Sequence, residues 1–187
     1  MDVERERLRE LLQKEAIKEG DFILSSGQRA SYYIDCRLVT LSAEGAFLTG
    51  RVMLRALGEP LPDAVAGMSV AADPVVTAVA VASFTAGASV PALIVRSRAK
   101  EHGTGKQVEG PLQPGMRVAI LEDTVTTGGS VLRAAEAVKD AGACVTGIWT
   151  LVDRLQGGAV EIAAAGYRYG HIFTIEDLGV EPTMNES

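Results

Sequence analysis

The segment Val118-Ala-Ile-Leu-Glu-Asp-Thr-Val-Thr-Thr-Gly-Gly-Ser130 limits what this chain can fold into more than any other stretch of it. A short apolar run leads into an adjacent acid pair, Glu122 and Asp123, and then into a turn rich in hydroxyls and glycine. A helical pattern from Val131 to Asp140 follows at once. An apolar run that ends in turn residues fits a buried strand of a parallel sheet, covered on both faces. A turn rich in Gly and Ser/Thr that opens a helix makes an anion site, because unpaired backbone N–H groups and the positive end of the helix dipole converge there. Thr126, Thr127 and Ser130 add hydroxyl donors, and Gly128 and Gly129 let the backbone approach a ligand closely. The pattern is that of a phosphate cradle.

The acid pair narrows the ligand. A bare carboxylate repels a phosphate, so Glu122 and Asp123 need sugar hydroxyls or a hydrated Mg²⁺ beside them. No Gly-Lys-Ser/Thr follows, as a Walker loop would require, and the spaced glycines of a dinucleotide fingerprint are missing. Acids followed by a phosphate turn suggest one ligand with a diol near its phosphate, a ribose 5-phosphate. The alternative is an ordinary strand–turn–helix unit with a solvated acidic tip. The segment resembles the ribose-phosphate-binding signature of the type I phosphoribosyltransferases, and other segments narrow the resemblance to the orotate phosphoribosyltransferases.

A chain of 187 residues is long enough for one well-buried domain and short for two. The expected organisation is a single domain over 1–187, with an N-terminal helix and base-site segment over 1–40 and an α/β core over 41–187. A net charge of −6 argues against a nucleic-acid-binding surface. Cys36 and Cys144 lie outside any Cys-x-x-Cys or Cys/His cluster, and two buried free thiols in a reducing cytosol are expected. The charged N-terminus has no signal-peptide core, and no apolar stretch approaches the roughly 20 residues of a membrane span. A cytoplasmic protein is the expectation.

Val3 to Ile17 carries Leu8, Leu11, Leu12 and Ile17 on one helical stripe ending at Gly20. Phe22–Leu24 and Tyr32–Ile34 read as two short strands around a turn at 25–28. Ser42 is the expected N-cap of a helix through Leu57, broken by Gly58-Glu-Pro-Leu-Pro62. Ala64–Gly67 reads as a strand, and Asp73-Pro74 as an N-cap and first helical residue launching a helix to about Phe84. Pro91–Val95, Val145–Val152 and Tyr169–Ile175 read as further strands, with a short helix at Gly157–Ala165. Strands alternating with helices predict an α/β fold, a largely parallel sheet flanked by helices, with binding at the carboxyl ends of the strands.

Three more segments carry chemistry. Arg96-Ser-Arg-Ala-Lys-Glu-His-Gly-Thr-Gly-Lys106 holds four cations, a histidine and two glycines without an apolar anchor. Alone it would be a solvated loop; facing a phosphate turn across neighbouring strand ends, it reads as a cationic lid over a polyphosphate. Arg supplies a planar fork, Lys a point charge, and His102 a proton near neutral pH. In Leu24–Asp35 a glycine turn and paired aromatics offer a flat face to a planar ring, or else form an edge hairpin. Arg154, at a strand's carboxyl end, can clamp a carboxylate bidentately, although an Asp-Arg pair such as Asp153-Arg154 is more often a surface ion pair. His171 reads as structural.

The resemblance covers nearly the whole chain. It implies the type I phosphoribosyltransferase fold with a small N-terminal base-site hood, and transfer of ribose 5-phosphate from phosphoribosyl pyrophosphate (PRPP) to orotate, giving orotidine 5′-monophosphate and pyrophosphate. It implies that Glu122, Asp123, Lys100 and His102 are catalytic. PRPP would meet Arg96, Lys100, His102, Glu122, Asp123, Thr124, Val125, Thr126, Thr127, Gly128, Gly129 and Ser130, and orotate would meet Ser25, Tyr33, Ile34, Thr126 and Arg154. It implies Mg²⁺ held mainly through PRPP oxygens and water, with no dedicated protein ligand set. It also implies a homodimer sharing the loop 96–106 across its interface. Ala66–Pro74 resembles the family's pyrophosphate loop. Some members carry Lys at the positions of Ser25, Ala71 and Ser97. The alternatives are a phosphoribosyltransferase for another base and a PRPP-sensing regulator of the same fold.

Overall fold

The computed structural model describes residues 2–23, 29–97 and 106–182. Helix α1 (Val3–Leu11) is capped by the Asp2 carboxylate, which accepts from the backbone N–H of Glu4 and Arg5. A π-helical turn, Leu12–Ala16, ends it, and strand β1 (Ile17–Ile23) pairs antiparallel with β2 (Arg29–Ile34). The helical stripe therefore stops earlier than its pattern suggests. Ile17 leaves the helix because it pairs with Ile34, while the carbonyl of Ala16 accepts from Asp35 N at 2.9 Å. Gly20, expected as a helix end, lies instead at a bulge between Glu19 and Phe22, with φ +152°.

A short helix α2 (Arg37–Thr40) leads to α3 (Ala43–Leu57), where Ser42 Oγ accepts from Gly45 N at 3.1 Å as its capping role requires. Then follow β3 (Ala64–Met68), α4 (Asp73–Thr85), β4 (Ala92–Val95), β5 (Val108–Glu109), β6 (Arg117–Val125), α5 (Gly129–Asp140), β7 (Cys144–Asp153), α6 (Gly158–Ala164) and β8 (Tyr169–Thr174). Asp73 does not cap α4: the N-cap is Ala72, and Asp73 is already helical and accepts from Ser69 Oγ at 2.9 Å.

The main sheet has the order β5-β4-β3-β6-β7-β8, parallel throughout except for the edge strand β5. Its chain order reverses between β3 and β6, which opens a crevice at the carboxyl ends of those strands. Both faces are buried. On β6, Ala119 and Leu121 join the core beneath α1, α3 and α4, while Val118 and Ile120 join the core beneath α5. Of the two thiols only Cys36 is buried; Cys144 opens β7 at the strand's exposed amino end, contrary to expectation.

Helices α3 and α4 touch because Gly50 has no side chain: a Cβ there would stand 2.3 Å from the carbonyl oxygen of Ala78. Gly50→Ala should therefore force the two helices apart and lower the free energy of unfolding by about 1–3 kcal/mol. Urea denaturation of the two proteins measures the difference, and equal stability would contradict the tight crossing.

Candidate active site

The acid pair lies within β6 rather than beyond it, since the strand runs on to Val125. Strand alternation sends the two side chains opposite ways. Glu122 shares the α5 side with Ser130, whose hydroxyl bonds it, and feels the charge of Asp73. Asp123 shares the hairpin side with Arg37 and Cys36 and accepts from Thr124 N at 2.7 Å. Both are buried, at 4 % and 6 % exposed. Burial, and then the neighbouring Asp123 charge, pushes the Glu122 carboxyl up to about 8 from an ordinary 4.5. Burial also raises Asp123, with the Thr124 bonds and the Arg37 charge opposing it.

After Val125 the chain turns into α5 through Gly128, whose φ of +84° is left-handed, and no side chain caps the helix. Residues 124–131 enclose a pocket of about 190 Å³ at this uncapped end. Thr124, Thr126, Gly129 and Ser130 are half-buried, Thr127 is exposed, and Gly128 is buried. Val125 is different. Its side chain is buried at 2 % exposure and its carbonyl accepts from Arg154 N at 2.9 Å, so it lines the pocket and also positions a neighbour.

That bond is one of two between the turn and the segment after β7; the other runs from Gly158 N to Thr126 O at 3.0 Å. The approach is close enough that a Cβ on Gly158 would lie 2.4 Å from Val125 Cγ1. Arg154 is thereby fixed beside the turn 126–130. Asp153 is not its ion-pair partner: it is buried, accepting from Leu155 N at 2.8 Å and Tyr169 Oη at 3.0 Å. Arg154 instead reaches Tyr32, with Nε donating to Oη at 3.4 Å. Tyr33, the expected base-site aromatic, is 43 % exposed and packs on Phe22 with ring centroids 6.0 Å apart; Ile34 is half-buried. The pair Tyr32-Tyr33 was legible, but which ring turns towards Arg154 depends on strand register.

Arg96 begins the cationic segment at the end of β4. Its N–H donates to Gln107 O at 2.9 Å, and its guanidinium lies 3.6 Å from Glu109. Ser25, Lys100 and His102 lie outside the described residues.

Residues 44–167 match the phosphoribosyl transferase domain. The orotate phosphoribosyltransferase of Thermosynechococcus vestitus is 49 % identical over 175 residues, covering 93 % of this chain and 92 % of the relative. The chain belongs to the orotate phosphoribosyltransferase family. Among solved members, the Mycobacterium tuberculosis enzyme superposes with a TM-score of 0.86 at 40 % identity, covering 95 % of this chain and 99 % of that one. A structure of the same mycobacterial protein with PRPP superposes at 0.82, with 37 % identity and the same coverage. The type I phosphoribosyltransferase fold is thus the family's and this chain's alike.

The raised carboxyl of Glu122 has a thermodynamic consequence. The folded protein keeps a proton that the unfolded chain has already released, so stability falls as pH rises from about 4.5 to about 8 and levels off above. The slope from this one group is at most about 1.4 kcal/mol per pH unit. Urea denaturation of the ligand-free protein at pH 5 to 8.5 should show the decline, and Glu122→Gln should flatten it. Parallel curves for the two proteins would contradict the buried, protonated state.

Proposed function

We propose that the chain is an orotate phosphoribosyltransferase, making orotidine 5′-monophosphate and pyrophosphate from orotate and PRPP. The observation that carries this reading is the pairing of two buried carboxylates with an uncapped glycine turn, stapled through Val125 O to an arginine just past the end of the next strand. The 5′-phosphate lies on the turn 126–130, where N–H groups and hydroxyls receive it without reorganising. Glu122 and Asp123 face the ribose hydroxyls and stabilise the positive charge that develops at the anomeric carbon as pyrophosphate leaves. Burial makes a carboxylate charge more effective here than in water, and Glu122, protonated in the resting protein, carries that charge once the cations that accompany the ligand lower its proton affinity. Arg154 clamps the orotate carboxylate, which uracil lacks.

Arg96, Lys100 and His102 act on the pyrophosphate: the cations neutralise it, His102 supplies a proton, and closure of the segment excludes water. The donor set suits Mg²⁺ carried in on PRPP, because the buried carboxylates of Glu122 and Asp123 have no cation in ion-pair contact among the described residues and Asp73 Oδ1 is buried without a hydrogen-bond partner. When bound near Glu122 and Asp123, the metal would supply positive charge that neutralises the pyrophosphate leaving group. No helix among the described residues is long and apolar enough to cross a membrane.

An exposed apolar face supports a homodimer. Leu41, Phe47, Val70 and Val81 border a groove of about 620 Å³ between α3 and α4, and Phe84 is exposed further along α4. Arg37 and Asp73 also line the groove, and their charges act on Asp123 and Glu122 respectively, so a second copy seated there adjoins the catalytic carboxylates. In this dimer the loop 96–106 of one subunit serves the other's site.

The deciding experiment is an assay with PRPP, Mg²⁺ and orotate, repeated with uracil and purine bases. Turnover confined to orotate is expected; turnover of another base alone would overturn the assignment. Asp123→Asn should keep the fold and lower turnover by at least about 100-fold, as loss of transition-state charge stabilisation does. Near-normal turnover in the folded variant would remove Asp123 from the mechanism. For the shared loop, inactive Lys100→Ala protein mixed with inactive Asp123→Asn protein should regain activity, because one site in each hybrid dimer keeps both native residues. No recovery after verified subunit exchange would mean that the loop serves its own subunit.

A further inference from the structure

Tyr32 has the bulkiest fully buried side chain among the described residues, and it belongs to the two-stranded hairpin rather than to the main sheet. A buried phenol needs a partner for its hydroxyl, and here the partner is Arg154. The guanidinium carbon stands 5.2 Å from the Tyr32 ring centroid while Nε reaches the hydroxyl at 3.4 Å, the long end of the hydrogen-bond range. Ring face and hydroxyl therefore share the contact.

Arg154 is otherwise uncommitted. Its backbone is tied to Val125, but no carboxylate among the described residues comes within ion-pair distance of its side chain, and Asp153 is engaged with Leu155 and Tyr169. Contact through Nε leaves both terminal nitrogens available to a carboxylate fork. An arginine on a strand end has four side-chain torsions to freeze before it can present that fork, and the phenol supplies a surface that freezes them.

We propose that Tyr32 is a positioning residue for the base: its ring and hydroxyl hold the Arg154 guanidinium in the orientation that receives the substrate's carboxylate. The inference rests on the reading of Arg154 as the orotate clamp. It assigns the hairpin a second task beyond flanking the base, because the hairpin then sets the arginine that selects it.

Steady-state kinetics on the full chain test it, using Tyr32→Phe, Tyr32→Leu, Arg154→Ala and the double variant Tyr32→Phe/Arg154→Ala, each with a thermal melt. Tyr32→Phe keeps the packed ring and should raise KM for orotate about 3- to 10-fold, the effect of one ordinary hydrogen bond, as its 3.4 Å length implies, while KM for PRPP stays within about twofold. Tyr32→Leu removes the ring as well and should raise the orotate KM further, by about tenfold or more. The double variant should match Arg154→Ala alone, because the effect passes through the guanidinium. A role in stability only would lower the melting temperature and move both KM values together, and that result overturns the proposal. So does an unchanged orotate KM in Tyr32→Phe, or an additive double variant. If Arg154→Ala itself spares the orotate KM, the clamp reading fails and Tyr32 falls with it; if Arg154→Ala raises it and Tyr32→Phe does not, only the positioning role fails.

Discussion

Two carboxylates taken out of water at the end of one strand are the constraint around which this fold is arranged. A buried carboxylate is costly unless it is protonated, hydrogen-bonded or matched by charge. Here Glu122 is held near neutral protonation by burial and by Asp123, while Thr124 and Ser130 supply hydrogen bonds. Such an arrangement stores unfavourable energy in the resting protein that a ligand with hydroxyls and cationic character relieves. The fully apolar strand behind it, Val118 to Leu121, fixes the pair in place because both of its faces are locked into separate cores.

The site is also mechanically continuous. Two backbone hydrogen bonds and the near-contact of Gly158 with Val125 join the phosphate turn to the segment carrying Arg154. On the proposed reading, the recognition of phosphate and of base thus belongs to the joined carboxyl ends of two interior strands, β6 and β7. The rim contributed by β4 is of another kind: Arg96 is exposed, bonded through its backbone to Gln107 and through an ion pair to Glu109 of the two-residue strand β5. In that reading the joined ends of β6 and β7 hold the sugar phosphate, while Arg96 opens the cationic segment next to the edge strand β5.

Much of this was legible in the sequence because it rests on local physics. The apolar run at 118–121, the glycine turn at 128–129 and the Ser42 cap each act within a few residues, and each appears where its chemistry places it. What escaped depends on distant partners. The strand β5 is too short to carry a pattern and exists because β4 offers it an edge. Ile17 continues a helical stripe but is claimed by Ile34 in the hairpin. Choosing between Tyr32 and Tyr33 needs the register of the hairpin, since a shift of one residue exchanges the two faces. Cys144 reads as a small buried thiol, yet it sits at the amino end of β7, where the strand emerges into solvent.

The alternation along β6 has a wider consequence. Because Glu122 faces the core built on α5 and Asp123 the side built on the hairpin and α1, each acid answers to its own set of neighbours. Repacking beneath α5 acts on Glu122 directly, whereas changes around Arg37 and Cys36 act on Asp123 and, through the Asp123 charge, reach Glu122 as well. The proposed catalytic pair is adjacent in sequence but packed against two different cores, so sequence drift on either side can retune its chemistry.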